Sequence, residues 1–182
     1  MSFYIYTLGC KVNTYESSVM ANDLKKAGFI ELSKDDNVDI YIINTCTVTN
    51  TAGNKSLKMI RQAYRKNNQA LLIVVGCLSQ VESNLVSKLP NVGIILGNKN
   101  KSKIVDYIYE YQRTKKQIID IYDLNKVDFE CMKLDNVKQT RAFVKIQDGC
   151  NNFCSYCIIP YTRGDVRSKG RQDVLDEISS LV

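Results

Sequence analysis

The chain has 182 residues, 45% hydrophobic and 24% charged, which bounds it to one globular domain, or one domain and part of another. Its formal net charge of +6 permits a polyanionic partner without requiring one. Seven cysteines accompany no histidine, which excludes His-containing zinc sites, the Ser-His-Asp triad and the Cys-His dyad together.

In chain order, short apolar runs alternate with helical patterns. The opening, MSFYIYTLGCKVN, lacks the charged start and long apolar core of a signal peptide. No run of 18 apolar residues occurs. The expectation is a cytoplasmic protein with reduced thiols and no membrane partner. Strands are predicted at Phe3–Leu8, Ile40–Asn44, Leu71–Val75 and Gly93–Leu96, each a nearly continuous apolar run of the kind found in buried parallel sheets. Helices are predicted near 14–27, 51–67, 80–89 and 100–113. The pairs Asn13/Glu16 and Ser79/Glu82 have the three-residue spacing of a capping box. This alternation predicts an α/β fold, an open parallel sheet flanked by helices, over residues 1–116. A strand-like piece, Gln117–Ile121, opens a polar connector over 117–140. A further strand, Ala142–Ile146, begins a second domain over 141–182, and a last helix spans Gln172–Val182.

Three cysteines each follow a predicted strand, in FYIYTLGC, DIYIINTC and LLIVVGC. Cys10, Cys46 and Cys77 are separated by 36 and 31 residues, the size of a strand–helix–strand unit. In an open parallel sheet all strand carboxyl ends lie along one edge, where ligand sites gather. The three thiols therefore converge. Gly9 and Gly76 suit close backbone approach to a bulky group, and Asn13 and Asn44 are candidate donors to sulfur. Taken singly, each cysteine also reads as a buried small hydrophobe. Zinc competes as an occupant, but structural zinc prefers four protein ligands, often with a CxxC pair; soft thiolates equally suit iron–sulfur clusters. Cys131 follows no strand and reads as a spare thiol.

The stretch DGCNNFCSYCIIP holds Cys150, Cys154 and Cys157 in a CxxxCxxC pattern. A tight loop of this kind can wrap three thiolates around three irons of a cubane and leave the fourth iron exchangeable. The pattern resembles the radical S-adenosylmethionine enzymes, in which that iron takes the amino and carboxylate groups of S-adenosylmethionine. The resemblance places Tyr156 near the adenine, and Pro160, Arg163 and Gly164 around the cofactor pocket.

TLGCKVNTYES, NTCTVTN, VVGC and DGCNNFCSYCIIPYTRG, in that order, resemble the methylthiotransferases, which replace a C–H bond by C–SCH3 using two clusters. Within them, TLGCKVN, NTCTVTN and KIQDGCNNFCSYCIIPYTRGDVRS most resemble the branch acting on C2 of N6-threonylcarbamoyladenosine in tRNA. The resemblance implies two [4Fe–4S] clusters, on Cys10, Cys46, Cys77 and on Cys150, Cys154, Cys157, together with S-adenosylmethionine. It also implies a tRNA anticodon stem-loop as partner, a flavodoxin- or ferredoxin-like electron donor, and no DNA. Residues 1–116 would form a Rossmann-like methylthiotransferase domain, and 141–182 the start of a radical S-adenosylmethionine partial (β/α) barrel, whose full form takes about 250 residues. A truncated barrel without an RNA-binding module is expected to be inactive alone. Ala52-Gly53, Leu57 and Leu78 depart from the family pattern without touching a cysteine. Arg61, Arg65, Lys66, Arg113, Lys115 and Lys116 are candidate phosphate contacts. Rival readings are another methylthio acceptor (isopentenyladenosine or a ribosomal protein), a non-catalytic iron–sulfur carrier, and a zinc-stabilised RNA-binding module.

Overall fold

The computed structural model describes residues 1–135 and 141–181. Along the chain lie β1 (Ser2–Thr7), α1 (Lys11–Lys26), β2 (Ile30–Glu31), β3 (Ile40–Thr45), α2 (Asn50–Lys66), β4 (Leu71–Gly76), α3 (Cys77–Val81), α4 (Ser83–Ser87) and β5 (Val92–Leu96). After a 3-10 turn at Lys101–Lys103 come α5 (Ile104–Thr114) and β6 (Ile118–Asp120). After a second 3-10 turn, Leu124–Lys126, come β7 (Gln147–Asp148), α6 (Ile159–Arg163), β8 (Arg167–Ser168) and α7 (Arg171–Leu181).

Six strands form one parallel sheet in the order β2-β1-β3-β4-β5-β6, as the alternating pattern predicts. The period of two along each strand divides the core between its faces. Ile40, Ile42, Ile73 and Val75 pack on one side with Tyr15, Val19, Met20 and Leu24 of α1 and Ile104 and Ile108 of α5. Tyr41, Ile43, Leu72 and Val74 pack on the other with Ile60 and Ala63 of α2, Leu78 of α3 and Val86 of α4. Each such aliphatic side chain, fully buried, stabilises the sheet by roughly 1.5–3 kcal/mol before entropy is charged. The strand order reverses between β1 and β3, and a crevice at the carboxyl ends of the strands belongs at such a reversal.

Local chemistry fixes the helix ends. Thr49 caps α2 by accepting from the Ala52 amide at 3.1 Å. The chain leaves α1 through Gly28 (φ +85°), with Phe29 N–H bonding to Leu24 and Gly28 N–H to Lys25, a Schellman pattern.

Several expectations are corrected. Neither capping box forms: α1 starts two residues before Asn13, with Cys10 as its N-cap, and Ser79 lies inside α3. The helix predicted over 80–89 breaks at Glu82 (φ −126°, ψ 35°) into α3 and α4. The strand predicted at Ala142–Ile146 does not form. Phe143 there packs against the first core and Lys145 is drawn into a buried ion network, leaving only Gln147–Asp148 to pair, antiparallel, with β8. β6 lies within the segment read as connector and completes the sheet. Residues 136–140 of that connector, and Val182, lie outside the described residues.

Candidate metal centres at one sheet edge

Cys10, Cys46 and Cys77 stand one residue or a short loop beyond β1, β3 and β4, at the same edge. Cys46 and Cys77 are buried and Cys10 is exposed. Gly9 lets the β1 loop lie against Cys46: a Cβ there would fall 2.7 Å from both the Cβ and Sγ of Cys46, and its φ of +101° disfavours any side chain. Gly76 (φ +100°) makes the turn into α3, where a Cβ would fall 2.7 Å from the Thr45 carbonyl oxygen.

A frame of short polar side chains holds these turns. Asn13 Nδ2 donates to the carbonyls of Leu8 (2.7 Å) and Thr45 (3.0 Å), tying the ends of β1 and β3 together, and its Oδ1 lies 3.8 Å from Cys10 Sγ. Asn44 donates to the Asn13 carbonyl and to Ser17 Oγ, both at 3.0 Å; its amide is committed there and not to a sulfur. Ser56 Oγ accepts from Cys46 N–H (3.1 Å) and donates to the Cys46 carbonyl (2.9 Å). Thr45 Oγ1 accepts from the Leu78 amide at 3.2 Å. Burial pushes the Cys46 thiol up; the neighbouring thiols of Cys77 and Cys10 add to this and Arg163 opposes it.

Among the described residues no three Cys, Asp or Glu side chains gather around one ion-sized point. A cubane is held by one thiolate per iron, so its ligands stand apart around it. Three soft sulfurs from three strand ends, with a glycine where a Cβ would strike Cys46, fit such a cluster.

The second set lies on a separate loop. Gly149 (φ +83°) brings the loop against 164–165, where a Cβ would fall 2.0 Å from the Asp165 carbonyl oxygen. Cys150 N–H donates to the Gly164 carbonyl (3.0 Å), and Cys157 N–H to that of Cys154 (2.9 Å), closing a tight turn with Phe153 at φ +45°. Cys154 is exposed and Cys150 and Cys157 half-buried. Tyr156 is 89% exposed, and Phe153 and Tyr161 meet edge to face beside it. Pro160 is buried in the first turn of α6. Gly164 (φ +68°) abuts Leu124, where a Cβ would sit 2.7 Å from the leucine Cβ.

Arg163 is buried, and its guanidinium faces the first domain. Nη1 donates to Glu16 Oε1 (3.0 Å) and to both oxygens of Asp148 (3.0 and 3.1 Å), and Nη2 to Asn13 Oδ1 (2.9 Å). Lys101 and Lys145 also bond Glu16. Burial alone would raise the Glu16 carboxyl, but Arg163, Lys101 and Lys145 outweigh it and hold the group well below the ordinary carboxylate range. Asn98 joins the two halves: its Nδ2 donates to the Thr162 carbonyl of α6 (2.8 Å) and lies 3.5 Å from Cys77 Sγ. Sequence reasoning missed Ser56, Asn98, Lys101 and Lys145. The one available signal was Lys145, a lone cation inside the apolar run AFVKI.

The candidate phosphate contacts point elsewhere. Arg61, Arg65 and Lys66 end α2, and Arg113, Lys115 and Lys116 end or follow α5. Both helix ends lead into strand starts, at the edge opposite the cysteines. Lys55 and Lys58, exposed in the first half of α2, lie nearer the cysteine edge.

Residues 2–97 match the family described as Uncharacterized protein family UPF0004. The chain is 38% identical over 179 residues to the threonylcarbamoyladenosine tRNA methylthiotransferase MtaB of Bacillus subtilis (strain 168). It is 34% identical over 178 residues to the MtaB of Aquifex aeolicus (strain VF5). The chain belongs to the UPF0004 family. Against another relative, the tRNA-2-methylthio-N(6)-dimethylallyladenosine synthase of Clostridium novyi (strain NT), identity is 39% over 186 residues. The three alignments take in 97, 96 and 99% of this chain but 40, 43 and 41% of the relatives. The chain thus spans about two-fifths of the length of the curated methylthiotransferases it matches. No helix among its described residues is long and apolar enough to cross a membrane.

Proposed function

We propose that this chain carries the two cysteine trios of a tRNA methylthiotransferase working in the cytoplasm. Cys10, Cys46 and Cys77 hold one [4Fe–4S] cluster; Cys150, Cys154 and Cys157 hold a second, at which S-adenosylmethionine binds. Residues 1–116, with β6 from the 117–140 connector, are the methylthiotransferase domain, and 141–182 the beginning of a radical S-adenosylmethionine domain. The observation that carries the reading is the joint between the trios: α3, which starts at Cys77, packs on α6, which follows Cys157, and Asn98 spans from Cys77 Sγ to Thr162.

When bound, the clusters and S-adenosylmethionine supply the electron, the radical chemistry and the methylthio sulfur. The chain's own residues position these groups. Gly164 anchors the second loop through its carbonyl on Cys150 N–H, and Pro160 stiffens the first turn of α6. Tyr156, exposed beside the loop, offers a face for an adenine. Arg163 serves the cofactor pocket from behind, by fixing the end of α6 against α1.

The acceptor is C2 of N6-threonylcarbamoyladenosine in a tRNA anticodon stem-loop, with a flavodoxin- or ferredoxin-like protein as electron donor. The quoted motifs and the two MtaB relatives support this acceptor; the comparable identity to the dimethylallyladenosine synthase favours a second reading, an isopentenyladenosine acceptor. Mass analysis of tRNA nucleosides with and without the gene separates the two. Anaerobic reconstitution tests the sites themselves. The chain should hold about eight irons and eight sulfides, and about four of each after either Cys10/Cys46/Cys77→Ala or Cys150/Cys154/Cys157→Ala. A count unchanged by the first triple substitution overturns the reading.

A further inference from the structure

Two buried ion networks occupy the seam between the sheet and residues 141–181. In one, Lys169 pairs with Glu177, and the Tyr15 hydroxyl and Met132 carbonyl complete the set. One cation meets one anion, and the charges cancel. In the other, Glu16 and Asp148 are the carboxylates that pair with Lys101, Lys145 and Arg163. Among the described residues, three cations meet two anions. All five residues are at most 8% exposed, so solvent does not absorb the surplus. A buried charge left without a counter-charge is costly, and an arginine does not escape by losing its proton.

The surplus is directed at the first cysteine trio through Asn98. Lys101 Nζ donates to Asn98 Oδ1 (2.8 Å), which turns Asn98 Nδ2 toward Cys77 Sγ at 3.5 Å. Arg163 Nη2 donates to Asn13 Oδ1 (2.9 Å), the same oxygen that faces Cys10 Sγ. On the Asn98 side the order is cation, amide N–H, sulfur; on the Asn13 side Arg163 neutralises the amide oxygen that faces Cys10.

We propose that this uncancelled positive charge is the built-in counter-charge of the anionic, thiolate-bound group on Cys10, Cys46 and Cys77, and that it raises that group's reduction potential. The inference rests on the assignment of a cluster to that trio.

The test uses the full chain carrying Cys150/Cys154/Cys157→Ala, reconstituted with iron and sulfide and titrated with dithionite in the presence of redox mediators. Lys101→Met removes a positive charge and should lower the potential. Glu16→Gln removes a negative charge and should raise it. Each shift should be of the order of tenfold in the reduced-to-oxidised ratio at fixed potential, about 59 mV for one electron. The double variant restores the net charge while leaving the network broken, so its potential should return toward the starting value. Should either single variant fail to fold, Lys145→Met and Asp148→Asn carry the same signs. A purely structural network gives single variants that shift together or not at all, and that result overturns the proposal. A parent chain that binds no iron and sulfide overturns the assignment of the trio instead.

Discussion

The two cysteine trios reach a similar composition by opposite routes. Cys150, Cys154 and Cys157 are neighbours in sequence, brought round by one loop whose turn is closed by Cys157 N–H on the Cys154 carbonyl. Cys10, Cys46 and Cys77 are neighbours only because β1, β3 and β4 are adjacent and parallel, so that their carboxyl ends share an edge. The first trio is thus held by the sheet and largely buried, the second by a local turn and largely open. A ligand set made by a fold fails with the fold; one made by a loop needs only the loop's anchors.

Three perturbations bear on that contrast. The largest acts on the seam joining the trios. Arg163→Met strips Glu16, Asp148 and Asn13 of charge-assisted hydrogen bonds worth about 1.5–3 kcal/mol each, a loss read from urea unfolding at pH 7. The folded Glu16 carboxyl titrates below its unfolded value of about 4.3, so its stabilisation is complete above that pH and is lost as pH falls beneath it. Arg163→Met should therefore also flatten the acid limb of the stability profile. An acid limb unchanged by the substitution would mean that Arg163 does not hold Glu16 ionised.

The next acts on the sheet alone. Ile42 is fully buried in β3, and Ile42→Ala should cost about 2–5 kcal/mol. In moderate urea, iron bound by the Cys10 trio should then be released before iron bound by the Cys150 trio, each followed in a chain that lacks the other set. Simultaneous release would dissolve the distinction between fold-made and loop-made sites. The smallest acts on one turn. Gly9→Ala puts a methyl 2.7 Å from Cys46 Cβ and Sγ at a left-handed φ, at a cost of about 1–3 kcal/mol, and should lower loading of the first trio. Gly28→Ala has a similar φ of +85° but nothing within 4 Å, so it should cost about 1 kcal/mol and leave loading untouched. Equal loading in the two variants would show that Gly9 is a turn residue only.

How much was legible in the sequence follows the same division. The strands show as apolar runs because burial on both faces leaves no room for polar alternation, as in Ile40–Ile43 and Leu72–Val75. With the strands come the turns that carry Cys10, Cys46 and Cys77. The second trio's spacing is visible without any fold. What stayed hidden is non-local. Asn13 and Glu16 have capping-box spacing, yet Asn13 braces two strand ends, and Glu16 faces cations 85, 129 and 147 residues away. No local period encodes such a partnership. Ala142–Ile146 has strand composition, but tertiary packing of Phe143 and Lys145 overrides it. Ser56 clamps Cys46 from the inner face of α2, where a small polar residue looks like any other helix position.

The Tyr15 hydroxyl reaches both Glu177 and the Met132 carbonyl, so the last helix docks on a residue from the first tenth of the chain. Synthesis runs from the amino end, and domains generally fold in that order. The docking socket therefore exists before its plug leaves the ribosome. The open cysteine loop is made after the strands of the sheet and is delivered onto them.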